Sequence, residues 1–290
     1  MLTDPVIATQ TPADDFTIKQ YWDQYTQDEH TVWDLLYTRQ INALQGRAVP
    51  DFYNGLEALS LGGSGVPNLD IINPKLKALT GWEVVMVPHL VPDLIFFDHL
   101  AHRRFPAGRF LRRRNQLDYL EEPDIFHDIF GHVPLLTQPV FADYMQAYGQ
   151  GGLRADRHGM LKQLARLYWY TVEFGLMETA DGLRIYGAGI VSSHGESLFS
   201  LDDPSPNRIR FNLERIMRTE YRIDDYQQSY FTIRSYNQLF DATQQDFGPI
   251  YKRLDNGETP FRPEHILKDD NILTRGTQVY AKSKAAKRPL

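Results

Sequence analysis

Two histidines five residues apart are the first side chains in this sequence with the chemistry of metal ligands. His127 and His132 lie in residues 122–132, which read EPDIFHDIFGH. Zinc proteases place their two histidines four residues apart on one helix with Glu between them, so this spacing differs. The pattern predicts a short buried helix that ends at Gly131 and directs both imidazoles into one cavity. For the pair alone, two core histidines bonded to backbone carbonyls would be the simpler interpretation.

A carboxylate in an otherwise apolar and aromatic run supplies a third candidate ligand. Glu173 lies within residues 167–176, which read LYWYTVEFGL. A buried carboxylate needs a cation or strong hydrogen-bond donors, because an unpaired charge is costly away from water. Two neutral imidazoles and one carboxylate leave coordination positions open, as in non-haem Fe(II) oxygenases. An ion pair with Arg166 on the same helix is the alternative explanation of Glu173.

Three segments together carry a resemblance to a known family. They read EPDIFHDIFGHVPLL from Glu122, YWYTVEFGL from Tyr168 and YGAGIVSSHGE from Tyr186. In this order they resemble the pterin-dependent aromatic amino acid hydroxylases, and the resemblance runs from the region of Trp82 to Phe247. It implies the catalytic fold of that family, which is mainly α with a few short strands in a single domain.

The resemblance also implies a reaction. The chain would be a monooxygenase that hydroxylates L-phenylalanine to L-tyrosine with O2, non-haem Fe(II) and a tetrahydropterin, either tetrahydrobiopterin or a related pterin. The same reaction on tryptophan or tyrosine remains an alternative. Two further hypotheses are a zinc hydrolase that uses the same three ligands and a binding protein with a structural metal. The first lacks an evident general base, and the second lacks a fourth ligand.

Matched residue by residue, the resemblance implies the composition of the site. The iron ligands would be His127, His132 and Glu173. The pterin would bind against Leu90, Val91 and Phe96, with Phe96 stacked on its ring. The substrate would contact Arg112, Trp169, Phe174 and Ser192, where Arg112 and Ser192 hold the amino acid's carboxylate. Tyr168 and Glu196 would lie near the metal as further catalytic residues.

Two positions depart from the family's pattern. Animal members have Thr-Pro where this chain has Leu120-Glu121, which removes one hydroxyl that contacts the substrate. They have Glu where Asp128 follows the first ligand, so water contacts to the pterin are expected to differ. No heptad repeat follows Phe261, so we expect a monomer.

Composition excludes several classes of function. The 290 residues include no Cys, which rules out disulfides and cysteine-ligated metals. A net charge of −6 argues against general nucleic-acid binding. No apolar run has the length that a membrane span requires, and the N-terminus lacks the pattern of a secretory signal. We therefore expect a cytoplasmic enzyme without a membrane or nucleic-acid partner.

The pattern along the chain predicts one catalytic domain with a disordered N-terminal segment and a flexible C-terminal tail. Residues 1–14 are polar and interrupted by Pro, and we expect them to be disordered. Residues 15–275 are expected to form the single catalytic domain, and residues 276–290 a flexible basic tail. Within the domain, residues 159–177 are predicted to form one helix that carries Glu173, and residues 82–87, 183–187 and 230–233 to form strands.

Overall fold

Helices make up most of the chain, which confirms the expected mainly α fold with a few short strands. The computed structural model describes residues 4–62, 64–118, 122–255 and 259–287. The helices in this part of the chain are α1 (Pro5–Ala8), α2 (Gln27–Leu44), α3 (Pro50–Ala58), α4 (Leu69–Thr80), α5 (Asp93–Ala101), α6 (Pro139–Asp156), α7 (Leu161–Tyr168), α8 (Ala188–Val191), α9 (His194–Asp202), α10 (Leu213–Met217), α11 (Tyr236–Thr243), α12 (Phe247–Leu254) and α13 (Val279–Lys287).

Short strands and tighter or wider helical turns complete the fold. The strands are β1 (Glu83–Val87), β2 (Arg104–Gly108), β3 (Gly175–Thr179), β4 (Gly182–Ile185), β5 (Asn207–Arg210), β6 (Ser229–Ile233) and β7 (Ile272–Thr274). The 3-10 turns are Trp22–Gln24, Arg114–Gln116 and Val133–Thr137, and two π-helical segments are Phe126–His132 and Trp169–Glu173. Among the described residues, none of the helices combines the length and the apolar character that crossing a membrane requires.

The seven strands form two sheets, and the larger one includes the strand that follows Glu173. β1 and β2 form a parallel pair, and the second sheet has the order β4-β3-β6-β5-β7. In that sheet β3 is parallel to β6 and antiparallel to β4. β3 starts two residues after Glu173, so its hydrogen bonds on both sides anchor the chain next to this carboxylate.

An aromatic core holds the first π-helical segment. Phe126 stacks on Phe130 with ring centroids 4.7 Å apart, and Trp33 of α2 packs edge-on against Phe126 at 5.2 Å. Phe52 of α3 packs edge-on against Phe130 at 5.3 Å. All four rings are buried, and burying each large side chain contributes about 1.5–3 kcal/mol. This packing fixes the apolar face of the segment, and His127 and His132 lie toward the cavity described below.

The helix predicted over residues 159–177 is divided in the structure. α7 ends at Tyr168, the π-helical turn follows, and residues from Gly175 onward form β3 instead of further helix. A Cβ on Gly175 would lie 2.1 Å from the ring of Tyr186, so only glycine permits this close approach. Pairing with β4 and β6 then outweighs the helical pattern, because the sheet satisfies the same backbone groups.

Gly131 does not end its helix as the pattern predicted. It lies inside the π-helical segment Phe126–His132, which continues directly into the 3-10 turn Val133–Thr137. An added Cβ at Gly131 would lie 3.0 Å from the carbonyl oxygen of Ala188. Glycine is therefore used here for close packing against α8, not for a left-handed conformation.

Both ends of the described chain contact the rest of the molecule, and the disorder expected for residues 1–14 and the flexibility expected for residues 276–290 stay predictions. In the N-terminal segment, Ile7 is buried, and Asp4 forms an ion pair with the buried Arg109. A buried guanidinium needs such a carboxylate, which explains why this segment is held. In the C-terminal segment, Tyr280 packs on Phe199 and Tyr226. Residues 1–3 and 288–290 lie outside the described ranges, as do Leu120 and Glu121.

Candidate active site

Three ligand atoms converge in the centre of the molecule. Nε2 of His132 lies 3.2 Å from Nε2 of His127 and 3.2 Å from Oε1 of Glu173. Nε2 of His127 lies 3.6 Å from Oε2 of Glu173, and the three side chains place their ligand atoms within 4.8 Å of one another. Arg166, the alternative partner of Glu173, instead donates to the carbonyl of Met217 at 3.1 Å.

The π-helical geometry explains the unusual spacing of the two histidines. A π-helix bonds residue i to residue i+5, so side chains five positions apart lie on nearly the same face. His127 and His132 are separated by five residues within Phe126–His132. In an α-helix the same face would require a spacing of three or four. Glu173 is the last residue of the second π-helical segment, so both contributions to the cluster depend on this rare turn.

Ser192 determines which nitrogen of His127 faces the cluster. Oγ of Ser192 donates to the carbonyl of Ala188 at 2.8 Å, so its lone pairs accept from Nδ1–H of His127, also at 2.8 Å. Nε2 of His127 then carries a lone pair toward the cluster. Burial lowers the pKa of His127 to about 4, which keeps the imidazole neutral.

Glu173 is ionised between the two imidazoles. Burial by itself would raise the pKa of its carboxyl, but His132 and His127 together hold this pKa below its ordinary value. Two neutral nitrogen donors and one carboxylate form the donor set of a mononuclear Fe(II) site with open positions. The residues present therefore fit iron.

The open side of the cluster faces a cavity of about 420 Å³. The cavity is bordered by His127, His132 and Glu173 together with five other residues predicted from the sequence, namely Leu90, Val91, Phe96, Tyr168 and Trp169. Most of the remaining wall is apolar or aromatic, which suits a flat aromatic ligand. Four predicted residues do not border it: Arg112, Phe174, Ser192 and Glu196.

Arg112 forms a two-pronged ion pair with Asp124, which lies just before the π-helical segment that carries His127 and His132. Its Nε and Nη2 donate to the two carboxylate oxygens of Asp124, each at 2.8 Å. Asp124 is fully buried and also accepts from the backbone N–H groups of Arg112 and His127. Burial alone would raise the pKa of Asp124, but the guanidinium of Arg112 holds it below its ordinary value. The fork that was expected to hold a substrate is thus largely used by Asp124.

Glu196 does not lie with the metal-ligand cluster. Its Oε1 accepts from the hydroxyl of Tyr230 and from the backbone N–H of Gln227, the latter at 3.1 Å. Burial raises the pKa of Glu196 to about 7. The side chain of Gln227 in turn accepts from Nε1 of Trp169 at 3.0 Å. Glu196 therefore supports the wall of the cavity from behind.

Phe174 has a similar supporting position. Its ring lies 4.8 Å from that of Trp169, which itself borders the cavity. The expected aromatic wall is thus present, with Trp169 in front and Phe174 behind it.

Several cavity residues were not assigned to the site from the sequence, Tyr221 among them, and Asp128 was expected only to change water contacts to the pterin. Tyr221 stacks on Trp169 with centroids 4.3 Å apart and an interplanar angle of 17°. It follows α10 in an irregular segment, where no periodicity could have indicated its direction. Asp128 accepts from the backbone N–H of Gly108 at 2.7 Å, and burial raises its pKa to about 7. Its position beside His127 was the available signal.

Comparison with known proteins assigns the family. A family described as "Biopterin-dependent aromatic amino acid hydroxylase" matches residues 19–255. The chain belongs to this family. The phenylalanine-4-hydroxylase of Caulobacter vibrioides is 64% identical over 267 residues, which span 92% of this chain and 90% of that protein. The enzyme of the same name from Chromobacterium violaceum is 54% identical over 264 residues, which span 91% of this chain and 89% of that protein.

Solved structures of the family have the same fold. The iron- and phenylalanine-bound phenylalanine hydroxylase of C. violaceum aligns with a TM-score of 0.86 at 53% identity, over 90% of this chain and 95% of that one. Its form with bound Fe(III) aligns with a TM-score of 0.89 at 54% identity, over 92% and 97%. The helical architecture described above is therefore that of this hydroxylase family.

Proposed function

We propose that this chain hydroxylates L-phenylalanine to L-tyrosine with O2, Fe(II) and a tetrahydropterin. The observation that carries the proposal is the convergence of His127, His132 and Glu173 on one aromatic-lined cavity in a member of this family. The relatives named phenylalanine-4-hydroxylase support phenylalanine as the substrate. These names support hydroxylation of phenylalanine over hydroxylation of tyrosine or tryptophan.

His127, His132 and Glu173 would hold the iron, and all three border the cavity. Bound iron and reduced pterin supply the activation of O2 and the electrons that a closed-shell aromatic substrate cannot provide. His127 is oriented for this role by Ser192, and Glu173 supplies the negative charge that offsets the metal.

The pterin and the substrate occupy different parts of the cavity wall. Leu90, Val91 and Phe96 form an apolar surface for the pterin ring, with Phe96 edge-on to Tyr168 at 5.6 Å. Trp169, stacked on Tyr221, forms the wall against which the ring of phenylalanine packs. These apolar surfaces exclude water from the space beside the iron ligands.

Two polar groups complete the proposed site. Arg112 is fixed by Asp124 behind the cavity wall, and we propose that its Nη1 hydrogens, which do not bond Asp124, attract the substrate's carboxylate from there. Tyr168 packs its ring against His132, with centroids 6.1 Å apart, and burial raises the pKa of its hydroxyl well above the ordinary value. Tyr168 is therefore neutral and helps to orient the imidazole of His132.

We also propose a cytoplasmic monomer in which residues 15–275 form one catalytic domain. The reaction consumes a reduced pterin that other enzymes must regenerate, which supports a reducing compartment. The sequence after Phe261 carries no heptad repeat, which supports the monomer.

The deciding experiment is aerobic incubation of the iron-loaded protein with a tetrahydropterin and, separately, phenylalanine, tyrosine and tryptophan. Chromatography of the products should show tyrosine formed from phenylalanine only when iron and pterin are both present. Hydroxylation of tryptophan or tyrosine in preference to phenylalanine would overturn the substrate assignment. A zinc-loaded, iron-free preparation should be inactive, and pterin-independent hydrolysis by it would favour the zinc hydrolase.

A further inference from the structure

Residues 276–280, which we call the C-terminal strap, lie against the segment that precedes β5. The N–H of Gly276 donates to Oδ1 of Asn207 at 2.9 Å. A Cβ on Gly276 would lie 2.1 Å from the carbonyl oxygen of Ser205, so only glycine permits this approach. The strap lies outside residues 19–255, the part of the chain that the family match covers.

A strained residue in the strap is held by hydrogen bonds at both its backbone and its side chain. Gln278 has a φ of 57°, a left-handed conformation that side chains rarely adopt. Its N–H donates to the carbonyl of Ser205 at 2.9 Å, and its Nε2 donates to the carbonyl of Gln228 at 3.0 Å. Such strain persists only where the surroundings determine the conformation, which indicates a specific attachment.

Tyr280 attaches the strap to a second segment. Its ring lies 5.0 Å from that of Phe199 and 5.4 Å from that of Tyr226, nearly parallel to the latter. Its hydroxyl donates to Oδ1 of Asp225 at 2.8 Å, and its N–H donates to Oγ of Ser205 at 3.0 Å. Tyr280 and Gln278 thus hold residues 225–228 from one side.

Residues 225–228 reach the cavity wall on their other side. Gln227 is buried, its N–H donates to Glu196, and its Oε1 accepts from Nε1 of Trp169 at 3.0 Å. Trp169 borders the cavity and stacks on Tyr221. A continuous set of contacts therefore leads from the strap through Gln227 to the surface that we assigned to the substrate's ring.

We propose that the C-terminal strap positions this wall and that Tyr280 is a positioning residue for phenylalanine binding. The expected effect on phenylalanine binding rests on the proposed function, whereas the effect of the strap on the position of Trp169 does not. Removing Tyr280 removes the ring stacked on Tyr226 and the hydrogen bond to Asp225, so residues 225–228 lose part of their support and the side chain of Gln227 fixes the indole less firmly. Substrate affinity then falls, while His127 and His132 on their own segment and Glu173, held between these two imidazoles, keep their geometry.

The test compares full-length iron-loaded enzyme with its Tyr280→Ala, Tyr280→Phe and Val279→Ala variants. Tyr280→Phe keeps the ring and loses the bond to Asp225, whereas Val279 is exposed on the same helix and serves as the matched control. Trp169 emission is taken as the difference between each protein and the same protein carrying Trp169→Phe. Hydroxylation rates against phenylalanine concentration, iron content and melting temperature are measured on the same samples.

We expect Tyr280→Ala to shift the emission of Trp169 to longer wavelength and to raise the KM for phenylalanine about threefold to tenfold, the range set by losing a few net hydrogen bonds and contacts. The kcat and the iron content should stay close to those of the parent. Tyr280→Phe should fall between the parent and Tyr280→Ala, and Val279→Ala should match the parent.

A lower melting temperature in Tyr280→Ala, with the emission and the KM of the parent, would overturn the proposal by reducing the strap to a purely stabilising segment. If Tyr280→Ala does not fold, Tyr280→Phe decides by the same two readouts. A parent enzyme that shows the emission shift in its variants but does not hydroxylate phenylalanine would support the positioning role and overturn the proposed function.

Discussion

Oγ of Ser192 lies 2.8 Å from Nδ1 of His127, across 65 positions of sequence. The hydroxyl has one hydrogen, and it is donated to the carbonyl of Ala188. Ser192 cannot also donate to a substrate's carboxylate without breaking that bond, although the resemblance implied such a role. In this structure it orients His127, a proposed iron ligand, and that role can be tested separately from substrate binding.

Replacing Ser192 by Ala should weaken iron binding about 10- to 100-fold, the usual effect of removing the group that orients a ligating imidazole. The KM for phenylalanine should change much less at saturating iron. Competition of each protein with a chromogenic chelator measures iron affinity. Ser235→Ala, at an exposed serine that makes no capping bond, is the matched control. Unchanged iron affinity in Ser192→Ala would contradict the assignment.

Single replacement of His127, His132 or Glu173 by Ala should abolish iron retention and hydroxylation together, because a two-ligand site holds the metal too weakly. Iron is measured by elemental analysis after gel filtration. His102→Ala removes an exposed histidine and should retain about one iron per chain. Full activity in any of the three ligand variants would refute the proposed ligand set.

Arg112→Ala should weaken phenylalanine binding by about 1.5–3 kcal/mol, which is roughly tenfold to a hundredfold, because a charged hydrogen-bond donor is lost. It should also destabilise the fold by about 3–5 kcal/mol, since the fully buried Asp124 loses its partner. Arg112→Lys should recover only part of both losses, because a point charge cannot reproduce the planar fork. Arg113→Ala should be nearly silent.

The double variant Arg112→Ala/Asp124→Asn separates the two effects. Removing the buried charge should restore part of the stability lost in Arg112→Ala but none of the affinity for phenylalanine. Urea unfolding and initial rates against phenylalanine concentration measure the two quantities. Recovery of affinity in the double variant would show that Arg112 acts only by neutralising Asp124.

Glu196 predicts a pH dependence of stability. Burial raises its pKa from 4.5 to about 7, so between these values the folded state keeps a proton that the unfolded state has released. The stabilisation from this proton is complete below pH 4.5 and is lost as the pH rises through 7. Its size is at most about 3 kcal/mol.

Glu196→Gln should remove this contribution, because the neutral amide keeps the acceptor oxygen for Tyr230 and Gln227 and does not titrate. The unfolding free energy at pH 8 minus that at pH 5.5 should therefore be more positive in the variant than in the parent, because only the parent loses this stabilisation as the pH rises. Urea unfolding at both pH values checks this, with the exposed Glu57→Gln as control. Identical pH dependence in parent and variant would exclude titration of Glu196.

The sequence, with the family resemblance that it carries, predicted three candidate metal ligands that the structure brings together and much of the cavity wall. Glu173 was singled out because a carboxylate is costly in an apolar run unless a cation or donor is present, and the resemblance joined it to His127 and His132. Leu90, Val91, Phe96, Tyr168 and Trp169 followed from the resemblance, and all border the cavity. Strands β1, β4 and β6 were predicted from short runs rich in apolar residues to within a few residues.

Tertiary structure decided the partners of those residues. The π-helical turns that align His127 with His132 arise from packing around Phe126 and from the close approach of Gly131 to Ala188, neither of which is visible in a local pattern. The commitment of Arg112 to Asp124, and of Glu196 to Gln227 rather than to the metal-ligand cluster, depends on distances between segments. A sequence specifies which groups require a partner when buried, but only the folded chain determines which partner is within hydrogen-bonding distance.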